Sequence, residues 1–323
     1  MMISILFEIF IIMVCAYAAG LLGGLLGLGG AVILTPLLTI FIGLPIQYAA
    51  GISLSSAVGT SITSGYRYLK LKIPDLRVFL FMASAGTTGA IMGSLLLYEL
   101  MKTKYNWILY IFFSIIMYIA AFFTAKQAPK REMEPLSGIS NKSKGLFIRG
   151  KFFDPSLHLY VDYFVDKKRL FESWGVMLFG GLMSGLLGIG GGPINMFALY
   201  GIQSLPIKVA SATSNLIVGV TASTSGSIYW QFGYIHPFLS AVSIIGIIAG
   251  ALHASSLLPK TKGSTIKIVL LSVFSYLAFR MLLSGLRRGN IIIISQDIEY
   301  MLSFIVLILT AIIMFLLRDR ISE

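Results

Sequence analysis

Two glycine-rich stretches hold the residue types whose spacing could form a ligand site. Residues 20–30 read GLLGGLLGLGG, and residues 181–192 read GLMSGLLGIGGG. Glycine lets the backbone turn tightly and lets a ligand approach the peptide N–H groups. Where a helix begins after such a turn, its free N–H groups carry about +0.5 of a charge, which favours a bound oxyanion. These turns therefore predict a small-anion site formed by Gly27, Gly29, Gly30, Gly190, Gly191 and Gly192.

Uncharged polar side chains follow each turn. Pro193 stands directly behind the triple glycine and fits the first position of a helix. Hydroxyl and amide groups can donate hydrogen bonds to sulfonate or carboxylate oxygens without carrying charge, although a single Ser or Thr more often bonds its own helix backbone. The predicted substrate-binding residues after the turns are Pro193, Asn195, Ser53, Ser56, Thr60, Thr213, Ser214 and Asn215.

Charged and reactive groups are scarce where membrane chemistry would need them. Asp and Glu fall only in loops or at the ends of the predicted membrane crossings, as Glu299 does, so a carboxylate proton relay has no candidate. His253 is the one imidazole inside a predicted crossing and is the candidate proton carrier, although such a His more often serves packing. Arg280, in the last turns of its helix, is expected to extend to the surface. The sequence holds no enzyme motif or metal-ligand cluster, so we predict no catalytic site, metal or cofactor.

The chain is one unit duplicated. Gly27 returns as Gly188, 161 positions later, and the same register carries residues 44–46 (LPI) to 205–207 and residues 63–65 (TSG) to 224–226. Glycines spaced four apart, as at positions 20, 24, 181 and 185, are typical of closely packed membrane helices. We therefore assign those four to helix packing and only the clustered glycines behind them to the turns.

Composition defines an integral membrane protein. The chain of 323 residues is 57% hydrophobic and only 12% charged, whereas about a quarter of the residues of a soluble domain are charged. The net charge of +12 does not indicate nucleic-acid binding, because the basic residues gather between the apolar runs. Clustered Lys and Arg in loops are typical of the cytoplasmic face of a membrane protein.

Seven apolar runs are long enough to cross about 30 Å of hydrocarbon, which takes about 20 helical residues. The first three fall in the first copy, the next three are their equivalents in the second, and the last is an extra C-terminal helix. The predicted crossings are residues 47–65, 78–98, 105–124, 208–230, 237–258, 265–284 and 298–317.

The glycine stretches are bounded by shorter arms. Residues 174–188 would span about 22 Å as a helix and residues 193–201 about 13 Å, too little to cross. Such arms favour a re-entrant hairpin that returns to its own side, although a single broken crossing is the alternative. Three further crossings per copy would then place the copies upside down relative to each other, as in many transporters. The expected fold is all-α: two inverted repeats, each a glycine-hinged re-entrant hairpin plus three transmembrane helices, with one extra C-terminal helix.

The predicted organisation has a first transmembrane repeat (1–125), a cytoplasmic linker (126–171), a second repeat (172–285) and the extra helix (286–323). Residues 126–145 have the Pro, Ser and Lys content of a flexible tether. Residues 146–171 mix aromatic and basic residues and are expected to lie in the membrane interface as an amphipathic segment. Because most Lys and Arg fall on one face, the positive-inside rule places the linker and the C-terminus in the cytoplasm.

The turns and the segments behind them resemble the TauE/SafE family of sulfite and organosulfonate exporters. The likeness lies in each glycine turn, the following apolar arm, a Leu-Pro pair, and then AAGIS (49–53) or ASATS (210–214), and it covers residues 20–97 and 181–258. It implies that the glycine turns, Pro193, Asn195, Ser53, Thr213, Ser214 and Asn215 bind the substrate. One departure is that residues 31–32 read Ala-Val where the second copy has Gly192-Pro193, so a symmetric site is not expected.

The resemblance implies a secondary transporter in the plasma membrane of a prokaryote, moving sulfite, an organosulfonate or a related small sulfur anion. An alternating-access carrier with the substrate at the two hairpin tips is the first hypothesis. A passive anion channel, or a permease for another small organic anion, is the alternative that the sequence leaves open. A membrane-embedded enzyme or a scaffold for sulfur metabolism is the third. The expected partners are the substrate anion, the lipid bilayer and a second copy in a homodimer, with no nucleic acid.

Overall fold

The computed structural model describes residues 2–26, 28–126, 146–154, 159–257 and 263–316, and they are mostly helical. The first copy contains α1 (Met2–Leu26), α2 (Ala31–Leu37, continued by a π-helix over Leu38–Ile42), α3 (Ile46–Lys70), α4 (Leu76–Met101) and α5 (Ile108–Lys126). Two strands follow, β1 (Leu146–Asp154) and β2 (Leu159–Asp166). The second copy contains α6 (Lys167–Leu187), α7 (Gly192–Met196, continued by a π-helix over Phe197–Ile202), α8 (Ile207–Gln231), α9 (Pro237–Leu257) and α10 (Gly263–Arg288), and α11 (Gln296–Leu316) ends the described chain.

Within the described residues, four helices are long and apolar enough to cross a membrane: α4, α6, and the segments Phe7–Gly24 of α1 and Pro237–Ala254 of α9. The spans in α4 and α9 were predicted. The prediction that the arm entering the second glycine turn is too short to cross is wrong, because α6 starts at Lys167 and its 21 residues extend about 31 Å. The sequence around Lys167 was assigned to the linker for its charge. The other predicted crossings form helices, and their membrane spanning stays a prediction.

The second part of the predicted linker is a β-hairpin and not an amphipathic interfacial segment, so the expectation of a wholly α-helical fold is also wrong. β1 and β2 pair antiparallel, with Arg149 opposite Phe164. Ile148 and Phe152 on β1, and Tyr163 and Val165 on β2, are buried. This two-residue alternation suits a sheet with one covered face. Residues 127–145, most of the predicted flexible tether, and the C-terminal residues 317–323 lie outside the described residues.

Glycines hold α1 against α9 and α4 against α6 at backbone distance. A Cβ on Gly20 would overlap the Ile247 carbonyl oxygen, and a Cβ on Gly181 would overlap that of Gly86. Substituting such glycines would force the helices apart, as in the small-residue contacts of membrane helices. The packing role predicted for the glycines at positions 20, 24, 181 and 185 is confirmed.

The order of these contacts gives the helix directions. Along α9, Gly246 meets Met13 and Gly250 meets Tyr17, so α1 and α9 run parallel. Along α4, successive glycines at positions 86, 89 and 93 meet residues 177, 178 and 182 of α6, so this pair is also parallel. The central helices α3 and α8 run antiparallel, since Leu54 lies near Gly226 while Ser61 Oγ donates to the Asn215 carbonyl at 2.6 Å. α1 and α6 are equivalent helices of the two copies, and so are α4 and α9. Exchanging the two copies therefore converts the α1–α9 contact into the α6–α4 contact.

Candidate substrate site at the glycine turns

Both glycine turns adopt backbone conformations that explain their composition. Gly29 and Gly30 have φ of 79° and 74°, and Gly190 and Gly191 have φ of 70° and 76°. These values lie in the left-handed region, which side chains other than glycine rarely occupy. Each turn reverses the chain after a long helix, and α2 or α7 begins directly behind it. Gly27, also predicted for the site, lies outside the described residues.

The structure brings the two turns together in the protein interior. A Cβ on Gly192 would lie 2.9 Å from the carbonyl carbon of Leu28, so the turns touch through their backbones. Val218, near the middle of α8, packs against both, with Cγ1 at 2.8 Å from a Cβ position on Gly29 and 3.0 Å from that on Gly190. The candidate site therefore lies about halfway along the central α3–α8 pair.

The return arms, which are α2 and α7 with their π-helical continuations, have weaker helix dipoles than the sequence suggested. α2 has 7 α-helical residues and α7 only 5 before each widens into a π-helix. The partial charge of about +0.5 at a helix N-terminus applies to longer, regular helices. The polar side chains are therefore stronger evidence for an anion site than the helix N-termini are. Pro193 does occupy the first turn of α7, as its position predicted. Ala31 and Val32, which replace the Gly-Pro pair in the first copy, are fully buried, whereas Pro193 is partly exposed.

Four of the predicted side chains are buried without a hydrogen-bond partner among the described residues. They are Ser53, Ser56, Asn195 and Ser214, with Ser53 Oγ, Ser56 Oγ, Asn195 Nδ2 and Ser214 Oγ unpaired. An unsatisfied buried polar group costs about 1–3 kcal/mol. All four lie on α3, α7 or α8, the elements that surround the glycine turns, which makes them candidate contacts for a ligand.

Helix geometry directs these side chains toward the turns. On α3, Ala50 lies against Gly188 and Ala57 Cβ is 4.0 Å from a Cβ position on Gly190. Ser53 is three residues after Ala50 and four residues before Ala57, and this spacing places it on the same face of α3. Ser56 and Thr60 follow on the adjoining face, where Thr60 Oγ1 donates to the Ser56 carbonyl at 3.2 Å.

The second copy contributes an amide and a hydroxyl to the same region. Asn195 Oδ1 lies 3.2 Å from a Cβ position on Gly191, so this amide rests against the second turn. Ser214 stands four residues before Val218 and shares its face of α8. Asn215 is buried and its carbonyl holds Ser61. Thr221, which occupies the position equivalent to Thr60, has its Oγ1 at 3.2 Å from the Gly190 carbonyl oxygen and at 3.0 Å from that of Ile217 in its own helix.

Ser184 is a further buried hydroxyl that the sequence reasoning missed. It is fully buried on α6, four residues before Gly188, and its Oγ has no partner among the described residues. The signal was present, since it is the one hydroxyl inside the repeated glycine stretch, where the first copy has Gly23. Thr213 is a contrasting case, because it is predicted for the site but accepts a hydrogen bond from the Asp75 N–H at 3.1 Å, at the start of α4.

Asp75 closes one end of the α3–α4–α8 group. Its carboxylate caps α4 by accepting from the N–H groups of Arg77 and Val78, at 2.9 and 3.2 Å, and it also accepts from Tyr163 Oη of β2 at 2.9 Å. Burial, followed by the nearby Asp75 carboxylate, raises the pKa of Tyr163, so its hydroxyl stays protonated and donates. We call Asp75, Arg77, Tyr163 and Thr213 the Asp75 cluster.

Tyr163→Phe is expected to lower the free energy of unfolding by about 1.5–3 kcal/mol, the value of a hydrogen bond to a charged group. Thermal unfolding of the purified protein in detergent measures this, and limited proteolysis of the β-hairpin should become faster. Tyr105→Phe, in the loop that follows α4, is the control, because that ring is 59% exposed. Equal melting temperatures for the two variants would contradict a structural role for the Asp75 cluster.

The structure pairs His253 with Tyr17, whose Oη contacts His253 Nδ1 on the exposed side of the α1–α9 contact. Proton coupling through His253 stays a prediction. Within the described residues, no group of three or more His, Cys, Asp or Glu is arranged to hold a metal ion.

Arg280 does not extend to the surface as expected, because it is 2% exposed and paired with the fully buried Glu299 of α11. Arg287 Nε lies 2.9 Å from Glu299 Oε2, Ser284 Oγ contacts Oε1, and the Arg280 guanidinium stacks 3.9 Å over the Tyr300 ring. Tyr300 Oη donates to the Ile40 carbonyl at 3.1 Å, which connects this ion-pair cluster to the first return arm. Glu299 was assigned to a helix end, since the sequence does not show that α11 packs back on α10.

A groove of about 730 Å³ opens between α3, α8 and α9, toward the C-terminal half of α8 and away from the Asp75 cluster. The groove is lined by Ser55, Val58, Ala222, Ser223, Gly226, Ser227, Trp230, Gln231, Ile235, Pro237, Ser240, Ala241 and Ile244. Val58 and Ala222, which line the groove, are the chain neighbours of Ala57 and Thr221 near the second turn.

A bundle of apolar helices that encloses two touching glycine turns and a set of unpaired hydroxyl and amide groups defines a helical membrane protein with an interior polar site. The chain belongs to the TauE/SafE family, since the family model described as sulfite exporter TauE/SafE matches residues 12–281. The resemblance noted in the sequence is thereby confirmed.

Curated relatives are similar over nearly the whole chain. The probable membrane transporter protein YunE of Bacillus subtilis (strain 168) is 24% identical over 85% of this chain and 98% of its own length. The probable membrane transporter protein MJ0441 of Methanocaldococcus jannaschii is 26% identical over 88% of this chain and 100% of its own length. No solved structure matches the chain. Family membership and these names support a membrane transporter and not an enzyme.

Proposed function

We propose that this protein is a secondary transporter that exports small sulfur-containing oxyanions, sulfite or organosulfonates, across a prokaryotic cell membrane. The observation that carries the proposal is the set of buried, unpaired and uncharged polar groups around the two glycine turns. Neutral donors can bind an anion in transit without the tight ion pair that a buried arginine would form. The description of the matching family as a sulfite exporter supports the substrate and the direction.

In this transporter the two copies are inverted relative to each other. The antiparallel course of α3 and α8, which are equivalent helices, supports this arrangement. Inverted copies provide two related conformations, open to opposite sides, around one central site.

Transport proceeds by alternating access around the glycine turns. The Asp75 cluster fastens one end of the α3–α8 pair, while the groove opens at the other. The excess of Lys and Arg near the Asp75 end, including Arg67, Lys70 and Lys72, supports a cytoplasmic position for it. The proposed state is therefore closed to the cytoplasm and open to the outside, with the β-hairpin over the closed end.

Proteoliposome flux of radiolabelled sulfite tests the proposal. Ser214→Ala and Asn195→Ala are each expected to lower saturable flux about tenfold or more, since losing a hydrogen bond to a charged ligand costs about 1.5–3 kcal/mol. Thr88→Ala is the control, because this exposed hydroxyl on α4 bonds only its own helix among the contacts described. Sulfite flux that is absent in the wild type, or unchanged in both site variants, would reject the proposed site.

A passive anion channel on the same fold is the alternative, and counterflow separates it from a carrier. Vesicles loaded with unlabelled sulfite should accelerate uptake of labelled sulfite if the site alternates between the two sides. A channel shows no such acceleration, so its absence would replace the carrier with the channel.

A further inference from the structure

A tyrosine near the end of each central helix can be compared with its equivalent in the other copy. Tyr68 stands two residues before the end of α3, and Tyr229 stands two residues before the end of α8. The backbone behind them is also alike, since the N–H of Ile73 donates to the Tyr68 carbonyl at 3.1 Å and that of Tyr234 to the Tyr229 carbonyl at 2.9 Å. The two helix ends therefore present the two side chains in the same way.

Tyr229 is bound to the helix that leads into the second glycine turn. The side chain is fully buried, and its Oη donates to the Gly185 carbonyl, in the last turn of α6, at 2.8 Å. The last carbonyl groups of a helix have no partner within that helix, so Tyr229 caps α6 just before the turn. α6 packs tightly on α4 at this level, where a Cβ on Gly185 would overlap the Ala90 carbonyl oxygen.

Tyr68 is not bound in this way to the helix that leads into the first turn. Gly24 of α1, the equivalent of Gly185, lines a cleft of about 30 Å³ together with Tyr68, between α1, α3 and α9. Within the residues that the structure describes, Tyr68 Oη makes no hydrogen bond across this cleft. A Cβ on Gly24 would lie 3.6 Å from the carbonyl oxygen of Ala251, the equivalent of Ala90, so the helices are farther apart here.

This difference between the copies begins within one helical turn. One turn earlier the two helix pairs make the same contact, because a Cβ on Gly20 would overlap the Ile247 carbonyl oxygen and a Cβ on Gly181 would overlap that of the equivalent Gly86. α1 and α9 separate only at the level of Gly24, which is where Tyr68 would bind. Equivalent parts of one molecule thus show two arrangements of the same contact, one closed and one open.

We propose that Tyr68 and Tyr229 are alternating latches, positioning residues of which each holds the helix leading into the glycine turn of its own copy. The inference rests on the alternating-access part of the proposed function, in which inverted copies exchange conformations. In the described state the Tyr229 latch is closed and the Tyr68 latch is open. In the other state Tyr68 Oη donates to the Gly24 carbonyl and closes the cleft, while Tyr229 releases Gly185.

Hydrogen–deuterium exchange of the purified protein, without substrate, tests this because amide exchange reports local opening of helices. In the wild type, the end of α1 (residues 20–26) is expected to exchange faster than the end of α6 (181–187). Tyr229→Phe should make exchange at 181–187 about fivefold faster, the effect of one neutral hydrogen bond. It should also slow exchange at 20–26, because the population moves to the state in which Tyr68 is closed.

Tyr68→Phe, added to Tyr229→Phe, should cancel the slower exchange at 20–26. Tyr66→Phe is the matched control on α3, because that ring is 69% exposed, and it should change neither helix end. Faster exchange at 181–187 with no change at 20–26 would overturn the inference, since Tyr229 would then only cap α6. Slower exchange at 20–26 that survives in the double variant would overturn it too.

The outcome is independent of the substrate assignment. Reciprocal changes at the two helix ends, in a protein that does not transport sulfite, would support the latches and reject sulfite as the substrate. Sulfite flux without reciprocal changes would reject the latches and leave the proposed function intact.

Discussion

Glu299→Gln is expected to lower the free energy of unfolding by about 3–5 kcal/mol, the largest stability change predicted for this protein. The side chain is fully buried and, within the part of the chain that the structure describes, is the one carboxylate in contact with Arg280 and Arg287. Removing its charge leaves the two guanidinium groups, of which that of Arg280 is buried, without the carboxylate that they share. Breaking a buried ion pair from one side is far more costly than the pair itself is stabilising.

The matched control is Glu99→Gln. Glu99 pairs with Lys102 at 2.8 Å, but both side chains are more than half exposed, so the change should alter stability by less than about 1 kcal/mol. Denaturant unfolding in detergent, followed by tryptophan fluorescence, measures both variants. A similar small change for Glu99 and Glu299 would mean that water or another anion reaches the ion-pair cluster.

The same variant has a second expected consequence, because the ion-pair cluster touches the first return arm through Tyr300 and Ile40. Loosening α11 should free that arm, so sulfite flux is expected to fall even at temperatures where Glu299→Gln remains folded. Tyr300→Phe isolates this link, since it removes the hydrogen bond to Ile40 and keeps the ring beneath Arg280. Normal flux in Tyr300→Phe would show that the cluster serves stability alone.

Gly192→Ala is expected to abolish most transport. The added methyl group would overlap the backbone of Leu28. Its carbon would lie 3.0 Å from the Leu28 Cα and 2.9 Å from the Leu28 carbonyl carbon. Backbone atoms cannot move aside as a side chain can, so the two turns must separate. Overpacking of this kind costs about 1–3 kcal/mol in stability, and the displaced turns should lose substrate affinity as well.

Gly175→Ala is the control for this change. It lies on α6, also lacks a positive φ, and a Cβ there would meet nothing within 4 Å. Because alanine is the better helix former, this variant should be as stable as the wild type or slightly more so. Sulfite flux and melting temperature measured in parallel decide the matter. Wild-type flux in Gly192→Ala would mean that contact between the turns is dispensable for transport.

The two predictions address different parts of one mechanism. Gly192 tests the place where the turns meet, and Glu299 tests the support behind the first return arm. The comparison also bears on symmetry, since the ion-pair cluster involves α11, which has no counterpart in the first copy. The first turn, closed by Ala31 and Val32, is thus braced by an element that the second turn lacks.

The amino-acid sequence by itself determined the membrane class, the duplication, the glycine turns and the resemblance to the TauE/SafE family. These properties are carried by composition and by short local motifs, which are independent of how distant helices pack. The polar residues near the turns were also predictable. Ser53, Ser56, Asn195 and Ser214 stand near motifs that are repeated inside the chain, so the sequence could nominate them as candidates.

Only the tertiary structure decided which partners the polar residues have. Thr213 accepts a hydrogen bond from the Asp75 N–H, and Arg280 forms an ion pair with Glu299. The linker segment folds into a hairpin, and its Tyr163 donates a hydrogen bond to Asp75, 88 positions earlier in the chain. The start of α6 at Lys167 likewise depends on its packing against α4. Partners so distant in sequence are chosen by the arrangement of the helices, and local pattern carries no information about that arrangement. This is the physical reason that the sequence predicts the turns but not the contacts that hold them together.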